Sequence, residues 1–299
     1  MLILDLIGGT PLIELREIAD ADGAVLMAKA EFRNPSGSVK DRAARAMILD
    51  GIQRGMLTRD KIIADATSGN TGISYAMIGA ALGYSVMLFM PRNASRERKA
   101  TIRGYGANIV ETNPLEGSDG AYVAARAAVD AEPERFFYPD QYNNPMNPAA
   151  HYETTGAEIW EQSGGRVTHF VSGMGTSGTL MGTSRRLKEY SGGVRAIAVQ
   201  PSSPLHGIEG VKHMDSTIRP GIYDDRMIDD VITVTTEEAY AMAKRLAREE
   251  GVFAGISSGA NVAAAASLAR RLPRDSLVVT VLCDSGSRYL SDSFWVDGE

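Results

Sequence analysis

The 299-residue chain is 44% hydrophobic and 23% charged, an ordinary globular composition with length enough for two domains and a sizeable core. Its net charge of −6, without any basic run, argues against a nucleic-acid partner, and no uninterrupted apolar stretch reaches the length of a membrane span. A single cysteine, Cys283, excludes internal disulfides and thiolate metal centres, and the four histidines lack metal-site spacing. No metal and a cytoplasmic location are therefore expected, and Met1-Leu2-Ile3-Leu4-Asp5 lacks the basic start of a signal peptide.

Along the chain, "AVLMAKA" (24–30) reads as the first clear strand. In "EFRNPSGSVKDRAARAMI" (31–48) a polar loop then becomes a helix, with Ser38 as the expected N-cap and Ala43, Ala44, Ala46, Met47 and Ile48 as its buried stripe. Lys40 falls in the first turn, beside the positive end of the helix dipole, where a cation is disfavoured. An amine nucleophile gains from that setting, while a surface lysine with a packed stem is the plain alternative. Strand-like "KIIADA", "SVMLFMP" and "ANIVET" come next, interleaved with helical runs such as "NTGISYAMIGAALG". The polar, proline-broken "QYNNPMNPAAHY" marks a boundary, after which "VTHFVS", "RAIAVQP" and "SLVVTVLC" alternate with helices such as "EEAYAMAKRLAREEG". Short apolar strands joined by helices imply parallel sheets covered on both faces, an α/β doubly wound architecture. The stretch 201–230 carries few periodic signals and is expected to be a long irregular insert of the kind that often serves function.

Ligands in open α/β sheets bind beyond the carboxyl ends of strands, so the turns there matter most. "TSGNTG" (67–72) comes after one strand, and its N–H groups and hydroxyls could receive a carboxylate; taken in isolation, a simple N-cap with a tight turn is the better reading. "GMGTSGT" (173–179) contains G-x-G-x-x-G, but the next strand ends in Gln200 where a dinucleotide site wants an acid. With Thr176, Ser177 and Thr179 it better suits one phosphate, although such turns also close strands onto helices with no ligand. In "ISSGANVAAA", Ser257 and Ser258 open another helix. A poised lysine and a phosphate cup together point to pyridoxal 5'-phosphate.

In order, "NPSGSVKDR", "TSGNTG", "QYNNPMNPAAHYETTGAEIW", "GMGTSGT", "GISSGA" and "RYLS" resemble the signatures of fold-type II pyridoxal phosphate enzymes of the cysteine synthase group, the O-acetylserine sulfhydrylases, over nearly the whole chain. The resemblance implies a tryptophan synthase β-like fold of two doubly wound α/β domains with mainly parallel sheets: a small substrate domain at 35–146, and a large phosphate-anchoring domain at 1–34 plus 147–299. It makes Lys40 the imine lysine and catalytic base, and Asn70 the partner of the cofactor's ring hydroxyl. Gly175, Thr176, Ser177, Gly178 and Thr179 become the phosphate cup, and Ser257 the neutral residue facing the pyridine nitrogen. Thr67, Ser68, Asn70, Thr71 and Gln141 take the substrate carboxylate.

The implied reaction is β-replacement on O-acetylserine or O-phosphoserine through an aminoacrylate, with sulfide, thiosulfate or a sulfur-carrier protein as donor, in a homodimer. Cys283-Asp284 and the insert "GIEGVKHMDSTIRPGIYDDRMIDDV" resemble the B type, with Lys212 as a candidate contact for the leaving group or sulfur donor. Cystathionine β-synthases and serine or threonine dehydratases share the motifs; the dehydratases usually carry phenylalanine where Val39 precedes the lysine. A catalytically silent binding protein on the same fold is the remaining alternative.

Overall fold

The computed structural model describes residues 1–19 and 22–295, so 20–21 and 296–299 of the expected large domain lie outside the described residues. Two sheets organise the chain. The larger is six-stranded in the order β1-β2-β10-β7-β8-β9, made of β1 (Leu12–Glu14), β2 (Val25–Ala30), β7 (His169–Gly173), β8 (Arg195–Pro201), β9 (Asp230–Val234) and β10 (Leu277–Leu282). The smaller is β5-β4-β3-β6, from β3 (Ile62–Ala66), β4 (Val86–Pro91), β5 (Asn108–Thr112) and β6 (Phe136–Phe137). Every pairing is parallel except β1 with β2. The register of the centre is set by Val278, which faces Leu26 on one side and His169 on the other. Parallel strands need covered faces, and β10 is buried at all of its residues.

The helices supply that cover: α1 (Lys40–Gln53), α2 (Asn70–Leu82), α3 (Arg96–Gly104), α4 (Gly117–Ala131), α5 (Met146–Ala150), α6 (Ala157–Gln162), α7 (Gly178–Tyr190), α8 (Thr236–Glu249) and α9 (Ile256–Ala269). One apolar cluster joins α8 and α9 to the larger sheet through Met242, Leu246, Val262 and Val278; a second packs Met47 and Ile48 of α1 with Ile73 and Ile78 of α2 onto Ile63 and Leu88. Among the described residues no helix is long and apolar enough to cross a membrane.

Three strands escape the sequence reading. β1 is three residues long and β6 only two, while β9 starts at the last residue of the stretch expected to be irregular and runs beyond it. β9 is an outer strand of its sheet, exposed at most positions, and its "DVITV" comes after an acidic run that hides the alternation. The start of α1 also differs from expectation. Val39, not Ser38, is the N-cap and already helical, while Ser38 forms a bridge with Asp284 and its hydroxyl lies 3.4 Å from the Lys40 N–H. The loop instead turns onto Asp41, whose carboxylate accepts the Ser36 N–H at 2.7 Å and the hydroxyls of Ser36 and Ser74.

α8 begins with a capping box in which Thr235 Oγ1 accepts the Glu238 N–H at 3.1 Å and the Glu238 carboxylate accepts the Thr235 N–H at 2.8 Å. The helix then crosses α9 where Gly259 lets the backbones touch: a Cβ there would overlap Ala239 O and stand 2.9 Å from Ala243 N. Gly259→Ala is expected to force the helices apart and cost about 1–3 kcal/mol, read as a lower urea midpoint at unchanged slope.

Candidate active site

The carboxyl ends of both sheets face one cavity. After β3 the chain contributes Ser68, Asn70 and Thr71, after β7 Gly175 to Ser177 with Thr179, and after β10 Cys283. Lys40 enters from the start of α1 and Ser257 from the start of α9. Their placement has local causes. Lys40 is held from both sides: the preceding Val39 N–H donates to Cys283 O at 2.8 Å, and the next residue, Asp41, is tied to α2 through Ser74 Oγ at 2.5 Å. Arg42, one residue on, is buried in a charge cluster. It makes a two-pronged pair with Glu31 (2.8 and 2.7 Å) and another with Glu158 (2.7 and 2.8 Å), while Lys29 Nζ reaches Glu158 at 2.7 Å. Burial works to raise the Glu158 carboxyl, but Arg42 and Lys29 outweigh it and hold the group at about 2. Against this fixed frame no hydrogen bond or ion pair engages the Lys40 Nζ among the described residues.

The serines of α9 divide their work. Ser258 Oγ accepts the Cys283 N–H at 2.9 Å, and Asn261 accepts the Gly173 N–H at 2.8 Å while donating to Val281 O at 2.9 Å. These bonds seat α9 across the ends of β7 and β10 and leave Ser257 lining the cavity. Cys283 also lines it, but burial pushes its thiol up to about 11, so it is neutral and weakly nucleophilic there.

The turn before α7 fits a phosphate. Gly175 and Gly178 are needed because a Cβ at either would overlap Gly210 O or Asn147 Oδ1, and Ser177 holds a left-handed φ of 68°. The first turn of α7 carries no acidic residue, and Thr176, Ser177 and Thr179 line the space before it. Asn147 Nδ2 donates to Thr176 Oγ1 at 3.1 Å. Behind the cup stands His151, to which the sequence alone assigns no function. Its Nε2 is 3.3 Å from Thr179 Oγ1 and its Nδ1 2.9 Å from Thr155 Oγ1, one helical turn on. Burial, helped by the nearby Arg42 charge, pulls its pKa down to about 3. The only sequence signal is the His-x-x-x-Thr spacing in "HYETT".

Not every residue expected at the site reaches the cavity. Thr67 Oγ1 turns inward to accept the Gly69 and Gly72 N–H groups at 2.9 and 3.1 Å, shaping the loop from beneath. Gln141 is buried between Thr71 Oγ1, from which it accepts at 2.8 Å, and Ala66 O, to which it donates at 2.6 Å. Lys212 lies outside the lining. Its Nζ pairs with Asp119 at 2.8 Å and sits 4.7 Å from the centre of the Tyr142 ring, so its charge joins the insert to α4. Conversely, Asp284, Arg288 and Tyr289 act around Asn70: its Nδ2 donates to Asp284 Oδ2 at 2.6 Å, its Oδ1 accepts from Arg288, and Tyr289 donates to the same Asp284 oxygen at 2.8 Å.

The chain matches the family described as pyridoxal-phosphate dependent enzyme over residues 3–284. It is 49% identical over 301 residues to a cysteine synthase of Aquifex aeolicus, an alignment covering 99% of this chain and 92% of that protein. Cysteine synthase B of Escherichia coli is 43% identical over 285 residues, covering 95% and 93%. The crystal structure of a cysteine synthase from Entamoeba histolytica superposes with a TM-score of 0.93 at 34% identity, over 99% of this chain and 91% of that one.

The pKa of His151 gives the site an acid limit. Because the folded chain binds the imidazole proton only near pH 3 and the unfolded chain near 6.5, stability falls as pH falls through that window. The loss from this one group approaches about 1.4 kcal/mol per pH unit. Urea midpoints of wild type and His151→Gln, measured from pH 7 to 4, are expected to show a steeper decline in the wild type.

Proposed function

We infer, from the premise that this chain belongs to the family of pyridoxal-phosphate dependent enzymes, that it is a cysteine synthase, replacing the β-substituent of an activated serine with sulfur. The observation that carries the reading is the Lys40 amine, without a partner among the described residues, in the same cavity as a glycine-built cup at the N-terminus of α7.

Lys40 Nζ is the residue that would hold pyridoxal 5'-phosphate, with 175–179 around its phosphate, Asn70 toward its ring oxygen and the neutral Ser257 toward its ring nitrogen. Bound there, the group supplies the electron sink that makes the substrate's α proton acidic and its β-substituent a leaving group. The chain's own residues supply the rest. Ser68, with the N–H groups of Asn70 and Thr71 at the start of α2, presents one hydroxyl and N–H groups to the substrate carboxylate, while Thr67 and Gln141 hold that loop in shape. Lys40 Nζ is the base that takes the α proton. Of the other titratable groups lining the cavity, Glu209 is paired with Arg98, Cys283 is a neutral thiol, and Tyr289 is bonded to Asp284.

The amino-acid donor is O-acetylserine or O-phosphoserine, with sulfide or thiosulfate as the simplest sulfur source. The enzyme works in the cytoplasm, which its single free cysteine suits. It works as a homodimer, supported by an apolar groove of Ile7, Ala46, Leu49, Met146 and Ala149, with exposed Leu2, Ile3 and Leu6 just before Ile7 in the chain.

Adding either serine ester to the holoenzyme without a sulfur donor is expected to shift its visible absorption band, and sulfide to restore it with one cysteine released per site. Lys40→Ala should lower turnover by about a thousandfold and abolish that shift; retention of both would refute the assignment. Sedimentation is expected to give twice the chain mass for the wild type and a shift toward monomer for Leu49→Glu.

A further inference from the structure

We propose that Arg98 is the docking point for the anion that delivers the sulfur, and that Glu209 sets how much negative charge that anion carries. This deepens the cysteine synthase reading and rests on it.

Sulfur attacks as an anion, since the thiolate and not the thiol is the nucleophile. Among the described residues the cavity lining holds two cations, Lys40 and Arg98, and Lys40 is committed to the α carbon. The neighbouring cations are engaged elsewhere: Arg288 has both terminal nitrogens donating, to Asn70 and to Ser36 O, and Lys212 pairs with Asp119.

Arg98 is held rigidly. It rises from α3 with its side chain 3% exposed, and it runs so close to Gly69 that a Cβ there would overlap its Cδ. Its guanidinium carbon lies 4.6 Å from the centre of the Tyr289 ring. Nη1 makes all of its hydrogen bonds, to Ser68 O at 3.3 Å and to Glu209. Nε is buried without a partner, and Nη2 makes no hydrogen bond among the described residues. A buried guanidinium with free donors is costly unless something arrives to use them, and a planar fork suits an oxyanion.

Glu209 comes from the insert after β8, lines the same cavity and is 40% exposed, so it can swing away from Arg98. While paired it cancels the arginine's charge. A small monoanion such as hydrosulfide then meets little repulsion, whereas a dianion must compete with the carboxylate for the guanidinium.

Sulfate, an inert dianion, is the probe. With the holoenzyme it is expected to inhibit competitively against sulfide at saturating O-acetylserine. Glu209→Gln should tighten that inhibition about tenfold, and Arg98→Gln should remove it, with Arg98→Lys in between because the charge is kept and the fork lost. The proposal is overturned if sulfate competes with O-acetylserine instead of sulfide, or if Glu209→Gln leaves sulfate inhibition unchanged. It is also overturned if Arg98→Gln raises the KM of O-acetylserine as much as the sulfate inhibition constant, which would make Arg98 only a support for the Ser68 loop. Should Arg98→Gln fail to fold, the Glu209→Gln comparison decides alone. Failure of the parent reading is recognised separately, by a wild-type visible band that ignores both serine esters before any sulfate is added.

Discussion

The position of the Lys40 amine depends on a guanidinium two residues away. Arg42 is buried, and the cost of taking its charge out of water is met by two carboxylates that grip it from opposite sides, Glu31 beside β2 and Glu158 on α6. Both pairs are two-pronged, so they fix the orientation of α1 as well as its place. Because α1 also packs on α2 and the smaller sheet, the cluster is a clasp between the two sheets, and Lys40 lies two residues from it. Removing one member would strand an uncompensated charge in the interior, a much larger insult than loss of a surface ion pair.

That dependence explains why a lysine stands in the middle of "NPSGSVKDR". The residues on either side of Lys40 all have partners elsewhere. Ser36 and Asp41 close the loop onto α2, Ser38 bridges to Asp284, Val39 is bonded to Cys283, and Arg42 carries the clasp. Among the described residues the Lys40 amine has no hydrogen-bond or ion-pair partner. A site amine that must form and break bonds needs a rigid backbone and an unengaged side chain, and this segment supplies both.

The sequence speaks clearly where a pattern is local. Continuous apolar strands, the helix starts after glycine-rich turns and the lysine in a first turn are all legible from spacings of a few residues. β1, β6 and β9 stay hidden because two- to five-residue outer strands have little room for a pattern. Around the cavity, the hidden part is long-range pairing. Arg98 with Glu209, Lys212 with Asp119, and Asn70 with Asp284 and Arg288 join residues about a hundred or more positions apart, and neither member of such a pair announces the other. The charge of Lys212 is likewise answered from α4, which no motif in the insert could reveal. At His151 the local His-x-x-x-Thr spacing points to Thr155 alone and carries no sign that a threonine of a distant turn meets the other ring nitrogen.

Between α5 and α6 the helix loosens into a π turn, His151–Gly156, before tightening again. Its first residue touches the cup at Thr179, and two residues beyond its end Glu158 reaches Arg42. The wider turn therefore works as a phase adjuster, setting the angle between two commitments made on one helical rod. Each residue added to or removed from an α-helix rotates the rest of the rod by about 100°. A deletion here would leave every side chain in the cluster and the cup intact yet point one away from its mate, so the length of this stretch is constrained separately from its side chains.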